Sequence, residues 1–214
     1  MKTRLVLLAA ALVVSFTAFS QVGRPSFGIR AGVNFQNLNG KDSDDDRLEN
    51  SLKVGFNVGV VGEVPIAEDF YIQPGVLYST KGAKLDVSND KVNIGYIEIP
   101  INLLYKPVLG EGRLLMGFGP YVAFGINGKI KGDGVDEKIK FDSETSITEF
   151  APLTLKRFDA GANLLFGYEF TQRLSAQLNA QLGLVNIYPD ITGLPTDLGT
   201  LKNTGFGISL GYRL

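Results

Sequence analysis

The chain contains no cysteine and no histidine in 214 residues. Without cysteine there is no disulfide framework, no thiolate metal site and no lipid anchor on a cysteine. Without histidine, the hydrolase and acyltransferase mechanisms that need a base near neutral pH lose their usual one. An excess of one charge is also missing, with 21 basic residues against 22 acidic ones. That balance argues against nucleic-acid binding through a basic face. Beyond the N-terminus no stretch is apolar enough for a membrane helix. No segment carries a convincing amphipathic helical period.

What is present begins with "MKTRLVLLAAALVVSFTAFSQ". Lys2 and Arg4 precede an apolar run, and "AFS" stands before Gln21. This is the layout of a secretory signal peptide with a small-residue cleavage site. The alternative is an anchor helix, which needs about 20 apolar residues. Ser15, Thr17 and Ser20 break the end of this run. Residues 1–20 are therefore expected to be cleaved, leaving 21–214 as one domain. Loss of two basic residues leaves 19 against the 22 acidic, a net charge of −3.

Along that domain the apolar residues alternate. In "RFDAGANLLFGYEF" Phe158, Ala160, Ala162, Leu164, Phe166, Tyr168 and Phe170 form one register. Asp159, Gly161, Asn163, Leu165, Gly167 and Glu169 form the other. The same period of two recurs in "FGIRAGVNF", "KVGFNVGVVGEV", "FYIQPGVLYSTK", "IEIPINLLYK", "LLMGFGPYVAFG", "LSAQLNAQLGL" and "GFGISLGYRL". Such alternation over about 9–11 residues is the signal of a strand. Long and short connections alternate as well. Residues 38–51, 82–92, 126–157 and 185–203 make long loops, and 65–69, 107–112 and 171–173 make short turns. With an even strand count all long loops leave one rim, as in outer-membrane barrels with long loops outside and short periplasmic turns.

Two architectures share this alternation. A soluble, lipocalin-like periplasmic carrier points its apolar register inward, whereas a transmembrane barrel points it into lipid. The other register decides between them. It is rich in Gly, Asn, Gln and Ser, which suits a narrow barrel interior better than a water-facing wall. The apolar register is free of charge, and its aromatics collect near strand ends like interfacial girdles. The fold predicted is all-β, an eight-stranded antiparallel up-and-down transmembrane β-barrel. Phe56, Val58, Ile99, Ile101, Phe118, Leu164, Phe166, Leu178, Ile208 and Leu210 should face lipid. Arg30, Lys81, Lys106 and Arg213 should meet Glu63, Glu98, Asp159 and Glu169 in a lumen charge network. Pro74, Pro100 and Pro120 cannot donate to a ladder, so each should mark a bulge or irregular pairing.

Candidate chemistry is sparse. Glu98 and Glu169 share the inward register and could form a carboxylate pair, but lumen ion pairing is the favoured reading. Asp42, Asp44 and Asp46 have the alternate spacing of a calcium loop. Arg47 stands where that loop needs glycine, and Lys53 where it needs its bidentate Glu. "GDGVDE" at 132–137 is likewise read as a solvated loop. No catalytic residue, metal site or cofactor is expected.

"GIRAGVNFQNL", "IQPGVLYSTKGAK", "YIEIPINLLYK" and "GFGPYVAFGINGK" together resemble the PorT-like outer-membrane β-barrel family of Bacteroidota. The likeness runs from about Phe27 to Leu214. It implies a Gram-negative outer membrane and a barrel, and it says less about activity. The family's namesake is implicated in protein secretion, so one alternative implied by the resemblance is a component of a secretion machinery. The expected partners are outer-membrane lipid and envelope or secretion proteins, with no nucleic acid and no small-molecule substrate identified.

Overall fold

A computed structural model describes residues 23–41, 46–85, 90–132, 135–146, 154–192 and 199–214. All of residues 1–20, the segment read as a signal peptide, lie outside the described residues, and so do Asp42 and Asp44. Eight long strands follow one another: β1 (Ser26–Lys41), β2 (Lys53–Ala67), β3 (Phe70–Lys81), β4 (Lys91–Tyr105), β5 (Gly112–Gly132), β6 (Phe158–Glu169), β7 (Leu174–Gly183) and β8 (Thr200–Arg213). Each pairs antiparallel with the next. β1 then pairs with β8, from Gly28↔Arg213 to Lys41↔Thr200. The ring is closed, so no long strand leaves a free edge, as an apolar solvent demands.

The alternation sorts the side chains. Phe56, Val58, Ile99, Ile101, Phe118, Leu164, Phe166, Leu178, Ile208 and Leu210 are all exposed on the outer wall. Lys81, Glu98, Lys106 and Asp159 are buried inside it. A soluble carrier would show the reverse, and the lipocalin-like alternative is set aside on this ground. Aromatic pairs band the wall at two heights. Phe35–Phe206, Phe56–Tyr78 and Phe124–Phe158 lie toward the long loops, and Phe70–Tyr105 and Tyr168–Phe170 toward the short turns. Phe158 and Tyr168 are ten residues apart on β6. At about 3.4 Å per residue and a tilt near 40°, that is about 26 Å along the barrel axis, matching the apolar band of outer-membrane barrels.

Several strands outrun the expected 9–11 residues; β5 has 21. Its last turn of sequence, Lys129–Gly132, pairs with Val135–Lys138, and Lys91–Gly95 of β4 pairs alongside. Segments read as loop are thus ladder, because the pairing of β4 and β5 continues in register beyond the lipid-facing band. At the other rim Asp69 (φ 60°) and Gly110 (φ 64°) take the left-handed conformation that tight hairpins require.

Pro74, Pro100 and Pro120 interrupt pairing without shifting it. Between β2 and β3 the ladder runs from Val61↔Gly75 to Val64↔Ile72, three residues on in each strand. Between β3 and β4 it skips from Pro74↔Ile101 to Leu77↔Glu98, and between β4 and β5 from Pro100↔Tyr121 to Leu103↔Phe118. Proline lacks the N–H but keeps an extended backbone, so pairs on both sides hold the alignment. The register shifts lie elsewhere, at Pro65/Ala67 beside the β2–β3 turn and at Gly95/Tyr96, where Ile126 is the extra residue of β5.

Candidate functional site

The candidate site is the lumen, and β4 reads out its layers. From the loop rim its inward residues are Val92, Ile94 and Tyr96, then Glu98, Asn102, Leu104 and, just past the strand, Lys106. The other strands supply matching groups at each height.

At the loop end lies an apolar plug. Leu38, Val92, Ile94 and Leu201 project inward from strand ends, and Ile139, Leu155 and Ile187 fold in from the connections. The sequence reading missed this plug. It treated 126–157 and 185–203 as long loops, and nothing local distinguishes the few apolar residues that turn back into the mouth.

Beneath the plug is the first charged tier. Lys81 Nζ lies 3.0 Å from Glu98 Oε2 and 3.2 Å from Asp159 Oδ2. Tyr121 Oη and Asn203 Nδ2 also donate to Asp159, at 3.3 and 3.0 Å. Gln181 Nε2 donates to Glu98 Oε1 at 2.7 Å. The ammonium sits 4.1 Å from the centre of the Tyr121 ring, a cation–π contact. Lys81 and Asp159 are fully buried.

The middle of the lumen is polar. A cavity of about 40 Å³ is lined by Arg30, Asn34, Gln36, Asn102, Asn163 and Asn179, among others. That is room for about three waters, at roughly 10–15 Å³ each. The carboxamide oxygens of Asn34, Gln36, Asn102 and Asn163 have no protein partner. Arg30 is buried, its Nε is likewise without a partner, and it lines a second cavity of about 40 Å³ below. Buried polar groups need partners, and the two cavities beside Arg30 have room for water to supply them. Next comes a thin apolar layer of Leu104, Leu115 and Leu165, backed by Tyr71.

The second charged tier closes the turn end. Lys106 Nζ reaches Glu63 Oε2 at 2.8 Å and Glu169 Oε2 at 2.7 Å. Arg213 Nη2 reaches the same two oxygens at 3.0 and 2.6 Å. Gln73 supports Glu63 from the side at 3.2 Å. The structure therefore brings together seven of the eight charges read from the sequence in two separate groups, and leaves Arg30 between them. Glu98 and Glu169 belong to different tiers, each held by a lysine, and do not form a pair.

The fold and the sorted registers together match a known class. The outer membrane protein beta-barrel domain family aligns with residues 19–188. The chain belongs to that family. Its compartment is accordingly the outer membrane. Among solved structures, the outer membrane protein OprG from Pseudomonas aeruginosa superposes with a TM-score of 0.51 at 12% identity, covering 90% of this chain and 97% of its own. Neisserial surface protein A gives 0.49 at 10% identity, with 90% and 100% covered. Ail, the attachment invasion locus protein of Yersinia pestis, gives 0.42 at 12%, again with 90% and 100% covered. At such identities the likeness speaks to the fold alone. No curated protein matches the chain.

Proposed function

We propose that this member of the outer-membrane β-barrel family is a non-enzymatic protein with a closed polar lumen, which acts through its long loops or as a structural or assembly partner in the envelope. The observation that carries the reading is the tier at Lys81, Glu98 and Asp159. Its three side chains come from β3, β4 and β6 and tie the wall together across the interior. An eight-stranded interior is just wide enough for side chains to fill. Within the tier each charged group is held by an opposite one, and separating a buried pair is costly. The apolar plug above this tier adds a second seal. The glutamates that could have worked as an acid–base couple are each engaged by a lysine instead.

The export route completes the reading. Residues 1–20 act as a cleaved signal peptide, and 21–214 form the mature barrel. The resemblance of four segments to the PorT-like family supports a narrower placement within outer-membrane barrels. Planar-bilayer recording from the purified barrel tests the closed lumen. We expect no porin-like conductance, and steady large single-channel openings would overturn the proposal. N-terminal sequencing of the membrane-extracted protein tests the leader, with Gln21 as the expected first residue.

A further inference from the structure

Beyond the membrane band, the wall carries lysines in directly opposed positions. Lys84 faces Lys91, Lys91 faces Lys131, and Lys129 faces Lys138. Like charges placed directly across a ladder repel. Among the described residues, no ion pair relieves Lys91, Lys129, Lys131 or Lys138. Asp136 opposes Lys131 in register but forms no ion pair with it, and Glu137 opposes Ile130 on the other face. This arrangement is costly alone and makes sense with an anion present.

The depth of the patch says which anion. Phe124 and Ile126 are exposed on the outer wall at 45% and 50%. Lys129 follows Ile126 by three residues, about 10 Å along the strand and about 8 Å along the axis for a tilt near 40°. It therefore stands at head-group height, directly above the lipid-facing wall. A groove of about 570 Å³ there is lined by Ile126, Phe141, Lys129, Lys131 and Lys138. Its apolar floor continues the lipid-facing surface, and its rim is cationic.

We propose that this groove holds the phosphorylated head group of an anionic lipid in the leaflet on the long-loop side. The lysines neutralise phosphate, as basic pockets beside membrane segments do. Ile126 and Phe141 accept the first carbons of the acyl chains. A free phosphate ion would use the rim and ignore the floor. The inference rests on the membrane reading with long loops outward.

The test uses the full mature barrel refolded in neutral detergent micelles. Binding is measured by calorimetry, and the melting temperature by the loss of the heat-modifiable gel shift. The probes are bis-phosphorylated lipid A, the same lipid without its phosphates, and sodium phosphate. We expect only the phosphorylated lipid to raise the melting temperature. Combining Lys91→Gln, Lys129→Gln, Lys131→Gln and Lys138→Gln should weaken its binding roughly tenfold or more, since each lysine near a lipid phosphate contributes to affinity. A control joining Lys156→Gln and Lys202→Gln should bind as the wild type does. If the fourfold variant does not fold, the double variant Lys129→Gln with Lys138→Gln should still bind at least roughly threefold more weakly. Undiminished binding by a folded variant, equal binding of the dephosphorylated lipid, or an equal response to sodium phosphate would overturn the proposal. Insertion into liposomes without lipid A is scored separately, so failure of the membrane reading is distinguishable from failure of the site.

Discussion

Replacing Lys81 by methionine removes the cation that Glu98 and Asp159 share. The three side chains are at most 2% exposed, and the ammonium lies 3.0 and 3.2 Å from the two carboxylates. Deleting one partner of a buried ion pair costs about 3–5 kcal/mol, mainly through the charge left uncompensated. Here two carboxylates lose their partner at once. Both keep neutral donors: Gln181 for Glu98, and Tyr121 and Asn203 for Asp159. Each retained hydrogen bond limits the loss by about 1 kcal/mol. The expected net cost is therefore about 5 kcal/mol rather than twice the single-pair figure. A variant combining Lys81→Met with Glu98→Gln and Asp159→Asn removes every charge in the tier while keeping its shape. It should lie within about 1 kcal/mol of the wild type, because a buried ion pair and an apolar or neutral replacement of similar volume are nearly equivalent. Urea titration of the refolded barrel, followed by the folded-band gel shift, measures both. A single variant as stable as the wild type, or a triple variant as weak as the single one, would refute the argument that mutual neutralisation holds this tier.

The outer wall offers a sharper contrast. Leu178→Arg puts a charge into lipid at about 2–4 kcal/mol and should block assembly in a membrane-insertion assay, whereas Asn179→Ser, one residue along and facing inward, should assemble normally. External protease on intact cells should cut within 38–51, 82–92, 126–157 or 185–203 and spare 65–69, 107–112 and 171–173; cleavage at the turns would invert the topology. Gly119→Ala should cost about 1–3 kcal/mol by overpacking, because a methyl there would strike the Ile101 carbonyl and the backbone of Asn102; thermal unfolding of the variant checks this.

The strands and their faces were legible because alternation is a local property. β6 shows it best: Asp159, Asn163 and Glu169 could be assigned inward, and Leu164 and Phe166 outward, from seven or so residues of sequence. Height along the lumen was not legible. Lys81 meets Asp159 across 78 positions of sequence, and nothing near either residue reveals that both sit under the plug while Glu169 sits in another tier. Ile139, Leu155 and Ile187 were missed for a related reason: isolated apolar residues in polar connections carry no period. Nor could the lysine ladder be seen, since it depends on which residues stand opposite across three pairings. Leu77, Leu104 and Leu165 broke the expectation of a polar interior, because a narrow barrel also fills its space with aliphatic groups between charged layers.

The three interrupted ladders give the wall uneven hoop stiffness. β1 and β8 are joined by fourteen consecutive register pairs without a lapse, while the lapses at Pro74, Pro100 and Pro120 all fall between β2 and β5. Radial strain therefore concentrates on one side of the cylinder. Any widening of the barrel should follow that seam, a diagonal line of lapsed pairs in an otherwise continuous cylinder. Under lateral pressure from a crowded membrane the cross-section should deform there first, with its softer flank across β3 and β4.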